Sequence, residues 1–249
     1  MQIGNGQFFL GDCLDVMRGL PDGSVDMVLC DLPYGTTACR WDSVIPFEPL
    51  WEQYWRVCKL NAAVVLTAAQ PFTSALVMSE IKNFKYSWVW NKVVSRGHLV
   101  AKKRPMANHE DICVFYRKPG NYTPQMIEKV RPEKGRSVEH SRTSIMGGTT
   151  TRQSEAVVRT HSYPKTIIEV PSEPNGASKF HPTQKPVALF EYLIKTYTDE
   201  GMTVLDNCAG SGTTAVAAER TGRKWICIEK QPEYYYPAVA RVISEVSGQ

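Results

Sequence analysis

A strand, a glycine loop and a helix follow one another near the C-terminal end of the 249-residue chain, and their position constrains the fold more than any other feature. Met202 to Asp206 is an apolar run of strand type. Asp206-Asn207-Cys208-Ala209-Gly210-Ser211-Gly212-Thr213-Thr214-Ala215 then carries G-x-G-x-x-A into a helix opening at Thr213. Glycines so placed let the backbone turn tightly and come close to a ligand. Glu229 stands nineteen residues past Gly210, at the end of the strand Lys224 to Glu229. A carboxylate there can accept hydrogen bonds from both hydroxyls of a ribose, so the unit reads as a site for an adenosine-containing cofactor. A nicotinamide dinucleotide is the rival, but its binding half usually begins a domain and has several strands downstream. Here 37 residues follow Gly212, room for a helix, a strand and one more helix, so the other strands must come from upstream. Asp206, ahead of the loop, suits a cofactor with a positively charged amino group better than one with a pyrophosphate.

The upstream half supplies those strands. Ser24 to Cys30 is a short apolar run ending at Asp31 and a Pro-Tyr-Gly turn. A helix is expected from Pro49, with Leu50, Tyr54, Val57 and Leu60 on one face and Asn61 closing it. Ala62 to Thr67, Tyr86 to Val94 and Asp111 to Tyr116 read as strands, and Pro71 to Ile81 as a helix. Further helices are expected from Pro186 to Tyr197 and at the C-terminus, with Pro237 as a kink or a start. Strands alternating with helices imply an α/β fold, a doubly wound and mostly parallel sheet, circularly permuted because the glycine unit comes last.

Between these halves the periodicity fails. Arg117 to about Lys179 is rich in Gly, Ser, Thr, Arg and Pro, and an unstructured stretch of about 60 residues is uncommon inside a compact domain. The expected division is a first half over 1–118, an irregular insertion over 119–180 and a cofactor half over 181–249. Charge sharpens that picture: Lys92 to Lys165 holds 15 Lys/Arg against 6 Asp/Glu, while the rest of the chain holds 14 against 19. A basic insert on an acidic body points to a polyanion partner, with a solvated basic loop as the plain alternative. Seven cysteines with no C-x-x-C pair read as reduced thiols of a cytoplasmic protein, without a disulfide framework. No apolar run approaches the ~20 residues of a membrane span, and no basic region with an apolar core opens the chain as a signal peptide would.

Asp31-Leu32-Pro33-Tyr34 follows a buried strand, where ligands bind in open α/β sheets. With that tetrapeptide and D-N-C-A-G-S-G-T in hand, the chain resembles the amino-directed DNA methyltransferases, which use S-adenosylmethionine. That family carries Asp/Asn/Ser-Pro-Pro-aromatic at the first place and D-P-F-x-G-S-G-T at the second, so this chain departs at apolar and turn positions. The resemblance covers about residues 9–118 and 180–245. Its motif order is that of the family's β arrangement, with the target-recognition region between the two halves.

The resemblance implies roles for individual residues. Asp31, with a backbone carbonyl around Leu32 and Pro33, would accept hydrogen bonds from the target amine and turn its lone pair toward the methyl group. Tyr34 would stack on a base that has left the duplex. Asp12, beside Cys13, would accept from the cofactor adenine amine. Thr183 and Lys185, at a helix start, would hold the cofactor carboxylate, and Asp206, Gly210, Ser211, Gly212, Thr213 and Glu229 would contact the rest. Lys102, Lys103, Arg104, Arg117, Lys118, Arg131, Arg136 and Arg142 are candidate phosphate contacts on double-stranded DNA. His109 and Glu110 read as a structural hydrogen-bond pair.

No metal is implied, since H-E-x-x-H and H-x-E with C-x-x-C are both missing from the sequence. Cytosine C5 chemistry is set aside because no cysteine follows a proline. The leading Asp favours adenine N6 over cytosine N4, where Ser is more frequent. The family likeness further implies a stand-alone modification enzyme of bacterial or phage type that can form a homodimer. RNA or a protein amide as substrate, a nicotinamide oxidoreductase and a non-catalytic nucleic-acid-binding module remain the competing readings.

Overall fold

A computed structural model describes residues 1–36, 42–96, 101–142, 149–173 and 184–248, with side chains excepted at 96, 133–142 and 149–157. The chain divides into two compact units, Met1–Thr123 with Thr166–Gln249, and Pro124–Lys165.

In the larger unit β1 (Gln2–Ile3) and β2 (Gly6–Leu10) open the chain, followed by α1 (Cys13–Arg18) and β3 (Val25–Asp31). Then come α2 (Phe47–Val57), β4 (Cys58–Ala68), α3 (Phe72–Ser79), β5 (Phe84–Arg96) and β6 (Ala107–Phe115). In the smaller unit β7 (Ile127–Arg142) and β8 (Thr149–Ser162) form a two-stranded antiparallel sheet of their own. The larger unit resumes with β9 (Ile167–Glu169), α4 (Val187–Tyr197), β10 (Thr203–Asp206), α5 (Thr213–Arg220), β11 (Lys224–Glu229) and α6 (Pro232–Ser247).

Nine strands make one sheet in the order β1-β2-β11-β10-β3-β4-β6-β5-β9. The late strands β10 and β11 lie between β2 and β3, and the run from β2 to β4 is parallel. The glycine-loop strand therefore does take its neighbours from upstream. Side chains alternate across the pleat, so Met27 and Leu29 face one side of β3 and Val28 and Cys30 the other. The first side is covered by α4, α5 and α6 through Phe190, Ile194, Val216, Ala238 and Val242. The second is covered by α1, α2 and α3 through Met17, Leu50, Tyr54 and Leu76. Each fully buried Leu or Val on these faces contributes about 1.5–3 kcal/mol.

The helix after β10 lies on one face and the helix after β3 on the other. Adjacent parallel strands whose connections leave in opposite directions open a crevice beyond their carboxyl ends, and the glycine loop and Asp31 both stand there.

Three expectations are corrected. The helix expected to run to Asn61 ends at Val57, because Cys58 already pairs with Val25 and β4 begins there. Among the described residues of 119–180 the backbone is not irregular throughout: β7 and β8 pair with each other, and β9 pairs with β5 in the large sheet. The strand β2 is not foreseen from the sequence, although Phe8 within it is fully buried against Trp225 and Tyr235. Pro237 lies inside α6, which starts at Pro232, a residue suited to a first helical turn.

Candidate active site

A cavity of about 600 Å³ opens at that crevice. Its wall brings together Asp12, Cys13, Asp31, Leu32, Pro33, Tyr34, Lys185, Asp206, Gly210, Ser211, Thr213 and Glu229. Thr183 lies outside the described residues. Gly212 turns away from the cavity: at φ 73° it occupies the left-handed region, and a Cβ there would stand 3.3 Å from Val242 and 3.5 Å from Phe8.

The glycine loop is pinned from three directions. Glu229 accepts the backbone N–H groups of Gly210 and Gln231, each at 2.8 Å. Burial pushes its carboxyl above the ordinary range, and those amide bonds work against the shift. Tyr54, from α2, donates to Asn207 at 2.6 Å, and Arg241, from α6, donates to the carbonyl of Ser211 at 2.9 Å. Asp206 accepts from the Cys208 amide at 3.0 Å and from the Thr214 hydroxyl. Burial pushes it up to about 6 despite those two bonds. Gln184 adds a buried Oε1 that accepts no hydrogen bond from any described residue. A shielded carboxylate and a waiting carbonyl oxygen suit a cationic group.

Asp12 caps α1 by accepting from the Leu14 amide at 3.0 Å, and its other oxygen stands 3.1 Å from Lys230. Burial raises its carboxyl, but the Lys230 ammonium and the Leu14 amide outweigh that and hold it below its ordinary value.

Asp31, at the end of β3, is engaged on both carboxylate oxygens. Its Oδ1 accepts from Tyr34 Oη at 2.7 Å and from the Thr67 hydroxyl, and its Oδ2 is 2.5 Å from Lys185 Nζ. Burial, then the charges of Asp31 and Glu110, push the Tyr34 phenol well above its ordinary value, so it remains a donor. One face of the Tyr34 ring stacks on Phe72 with centroids 5.1 Å apart. The turn beyond it is held by Asp42, which accepts from the amides of Gly35 and Thr36 at 2.8 and 2.9 Å.

Several predicted residues have other surroundings. Lys185, expected at a cofactor carboxylate, is ion-paired with Asp31, because the chain enters α4 beside the end of β3. Burial works against its charge, but the carboxylates of Asp31 and Glu110 hold the ammonium above its ordinary value. Arg117, expected at phosphates, donates instead to the carbonyl of Cys58 at 2.8 Å and lies over the Trp55 ring at 5.4 Å. It follows β6 directly and so meets the start of β4. Lys102, Lys103, Arg104, Lys118 and Arg131 are exposed. Arg136 and Arg142 lie on β7, where side chains are not described. His109 is exposed, whereas Glu110 turns into the cavity beside Lys92 and Lys185, so the two do not act as a pair. Lys92, Trp90 and Glu110 line the cavity unforeseen. Their sequence neighbours gave no signal, because the side each charge faces is set only when β5 and β6 pair.

Comparison with known proteins points the same way. Residues 25–240 match the N6/N4 methyltransferase family, whose description is DNA methylase. The type II methyltransferase M.HpaI of Haemophilus parainfluenzae is 27% identical over 255 residues, covering 95% of this chain and 74% of that protein. Among solved structures, the cytosine-N4-specific PvuII DNA methyltransferase superposes with a TM-score of 0.68 at 15% identity, over 99% of this chain and 93% of that one. The M1.HpyAVI–SAM complex superposes with a TM-score of 0.62 at 22% identity, over 95% and 98%.

Proposed function

Since the chain belongs to the N6/N4 DNA methylase family, we propose that it transfers a methyl group from S-adenosylmethionine to the N6 amine of adenine in double-stranded DNA. The observation that carries this reading is the placement of Asp31 and the glycine loop on one cavity wall, at the ends of the neighbouring strands β3 and β10.

The cavity fits the cofactor. Glu229 would take the ribose hydroxyls, Asp12 the adenine amine, and Asp206 with Gln184 the amino group, for which their shielded oxygens are suited. S-adenosylmethionine supplies an electrophilic methyl carbon when bound. An exocyclic amine is a weak nucleophile because its lone pair is conjugated with the ring. Asp31 and a backbone carbonyl near Leu32 and Pro33 would accept its two hydrogens and rotate the lone pair out of conjugation. Asp31 would then also stand where it can receive the proton that the amine gives up on methylation. The ring of Tyr34, backed by Phe72, offers a stacking surface for an extruded base. The basic region between the motifs is read as the DNA-contacting part, in a permuted arrangement.

Cytosine N4 is the second reading, favoured by the specificity of the PvuII enzyme. Transfer of labelled methyl from S-adenosylmethionine to unmodified duplex DNA, followed by nucleoside mass spectrometry, decides between them. N6-methyldeoxyadenosine is the expected product, N4-methyldeoxycytidine would replace the first reading by the second, and labelling of RNA or protein alone would overturn both. Asp31→Asn is expected to abolish transfer while leaving cofactor binding measurable by calorimetry; a near-normal rate would remove Asp31 from the chemistry.

A further inference from the structure

We propose that Glu110 is a positioning residue, which fixes Lys185 and through it leaves a single acceptor position on the Asp31 carboxylate for the target amine. The inference rests on the reading above that Asp31 accepts from that amine.

An ionised carboxylate offers about four acceptor positions. In Asp31 the Tyr34 and Thr67 hydroxyls fill those of Oδ1, and Lys185 Nζ, at 2.5 Å, fills one on Oδ2. The incoming amine hydrogen is thereby directed to the position that remains. That selection holds only while Lys185 stays where it is. Lysine is a flexible four-carbon arm with a compact charge, and apart from Glu110 its ammonium meets the Asp31 carboxylate and the Tyr34 ring, 5.7 Å from its centroid.

Glu110 supplies a second carboxylate. Its Oε2 stands 3.3 Å from Lys185 Nζ and accepts no hydrogen bond from any described residue, while Oε1 is paired with Lys92. The side chains of Lys185, Glu110 and Lys92 are 6%, 13% and 16% exposed, so these charges are largely withdrawn from water. Four charges alternate in sign, Asp31, Lys185, Glu110 and Lys92, and sum to zero. The sheet sets this row: Asp31 on β3 is opposite Thr67 on β4, and Glu110 on β6 is opposite Trp90 on β5, two residues before Lys92. Lys92 is followed by Val93 at φ 65°, a conformation β-branched residues rarely adopt, held by a bond from its amide to Asn91 Oδ1 at 3.0 Å. A cavity-facing carboxylate with an open oxygen beside a lysine, itself anchored by a second lysine, is more than neutralising Asp31 requires.

Because Glu110 acts only through Lys185, the two should not act independently. The test is a double-mutant cycle of Glu110→Gln and Lys185→Met, with kcat and the KM for S-adenosylmethionine measured on duplex DNA. Glu110→Gln is expected to lower kcat by about 10- to 100-fold, as a small misplacement of a reacting group does, with KM changed less than about twofold. In the Lys185→Met background it should lower kcat no further. Multiplicative losses, or an effect confined to KM, would overturn the proposal. Circular dichroism and the melting temperature establish that each variant folds. If Glu110→Gln does not, the cycle is run with Glu110→Asp, whose shorter arm withdraws from Lys185. Asp31→Asn separates the two levels: a normal rate there defeats the functional reading itself. Loss of rate there, with Glu110→Gln at the wild-type rate, defeats only the role of Glu110.

Discussion

Replacing Asp206 by asparagine should stabilise the protein at neutral pH while weakening its hold on the cofactor. Asp206 is 3% exposed, and burial lifts its pKa from 3.8 to about 6. One unit corresponds to about 1.4 kcal/mol, so this displacement is worth about 3 kcal/mol. The sign follows from proton binding: between those two values the folded chain holds a proton that the unfolded chain has released. The contribution is therefore complete below about pH 4 and is lost as pH rises through about 6. Asparagine has no proton to lose. Its Oδ1 can still accept from the Cys208 amide, and its Nδ2 can donate to the Thr214 hydroxyl. Urea unfolding followed by circular dichroism from about pH 4 to 7.5 should show the variant gaining up to about 3 kcal/mol on the wild type, with the change centred below pH 6. Calorimetry should show wild-type affinity for S-adenosylmethionine rising through the same interval and the variant lacking that rise. A stability difference that stays constant across the range would refute the reasoning.

Glu229→Gln should weaken cofactor binding by about 100-fold, since it loses charge-assisted bonds and sets an NH₂ group against one of two backbone N–H groups held at 2.8 Å. Affinity for DNA should change little, and an unaltered cofactor Kd would end the ribose assignment. Changing Lys102, Lys103 and Arg104 together to alanine should reduce the slope of log affinity for DNA against log salt by up to about 0.9 for each phosphate that the variant no longer neutralises. Fluorescence anisotropy measures that slope, and an unchanged one would place the phosphate-binding side chains elsewhere.

Local signals made half of the site legible. Lys224 to Glu229 forms the strand expected of it, the helix opens at Thr213, and Asp31 ends its strand, because each is marked by an apolar run meeting glycine or proline. What stayed hidden depends on partners distant in sequence. Lys92 and Glu110 look like surface charges until β5 and β6 pair and turn them toward Lys185. Lys185 itself reads as an anion-binding lysine at a helix start until Asp31, 154 residues away, is placed beside it. Arg117 lies in a basic stretch, yet the Cys58 carbonyl and the Trp55 ring that engage it are about 60 positions earlier. The strands β7 and β8 were missed because their polar, threonine- and arginine-rich sequence shows no apolar period, and their pairing rests on backbone bonds.

The interleaving of early and late strands also dictates when this enzyme can exist during its own synthesis. β3, β4, β6 and β5 come from the first 115 residues and can join as soon as they leave the ribosome. β10, the neighbour of β3, begins at Thr203. At roughly 5–20 residues per second, β3 waits on the order of 10 s with the edge Val25-Asp26-Met27-Val28-Leu29-Cys30-Asp31 unpaired. An open apolar edge of that kind invites strands of other chains. A transcript broken before codon 203 therefore yields no weak methylase, since neither the glycine loop nor Glu229 has been made. It yields an adhesive half-sheet for chaperones and proteases to clear, and catalytic competence waits for β10, the glycine loop and β11.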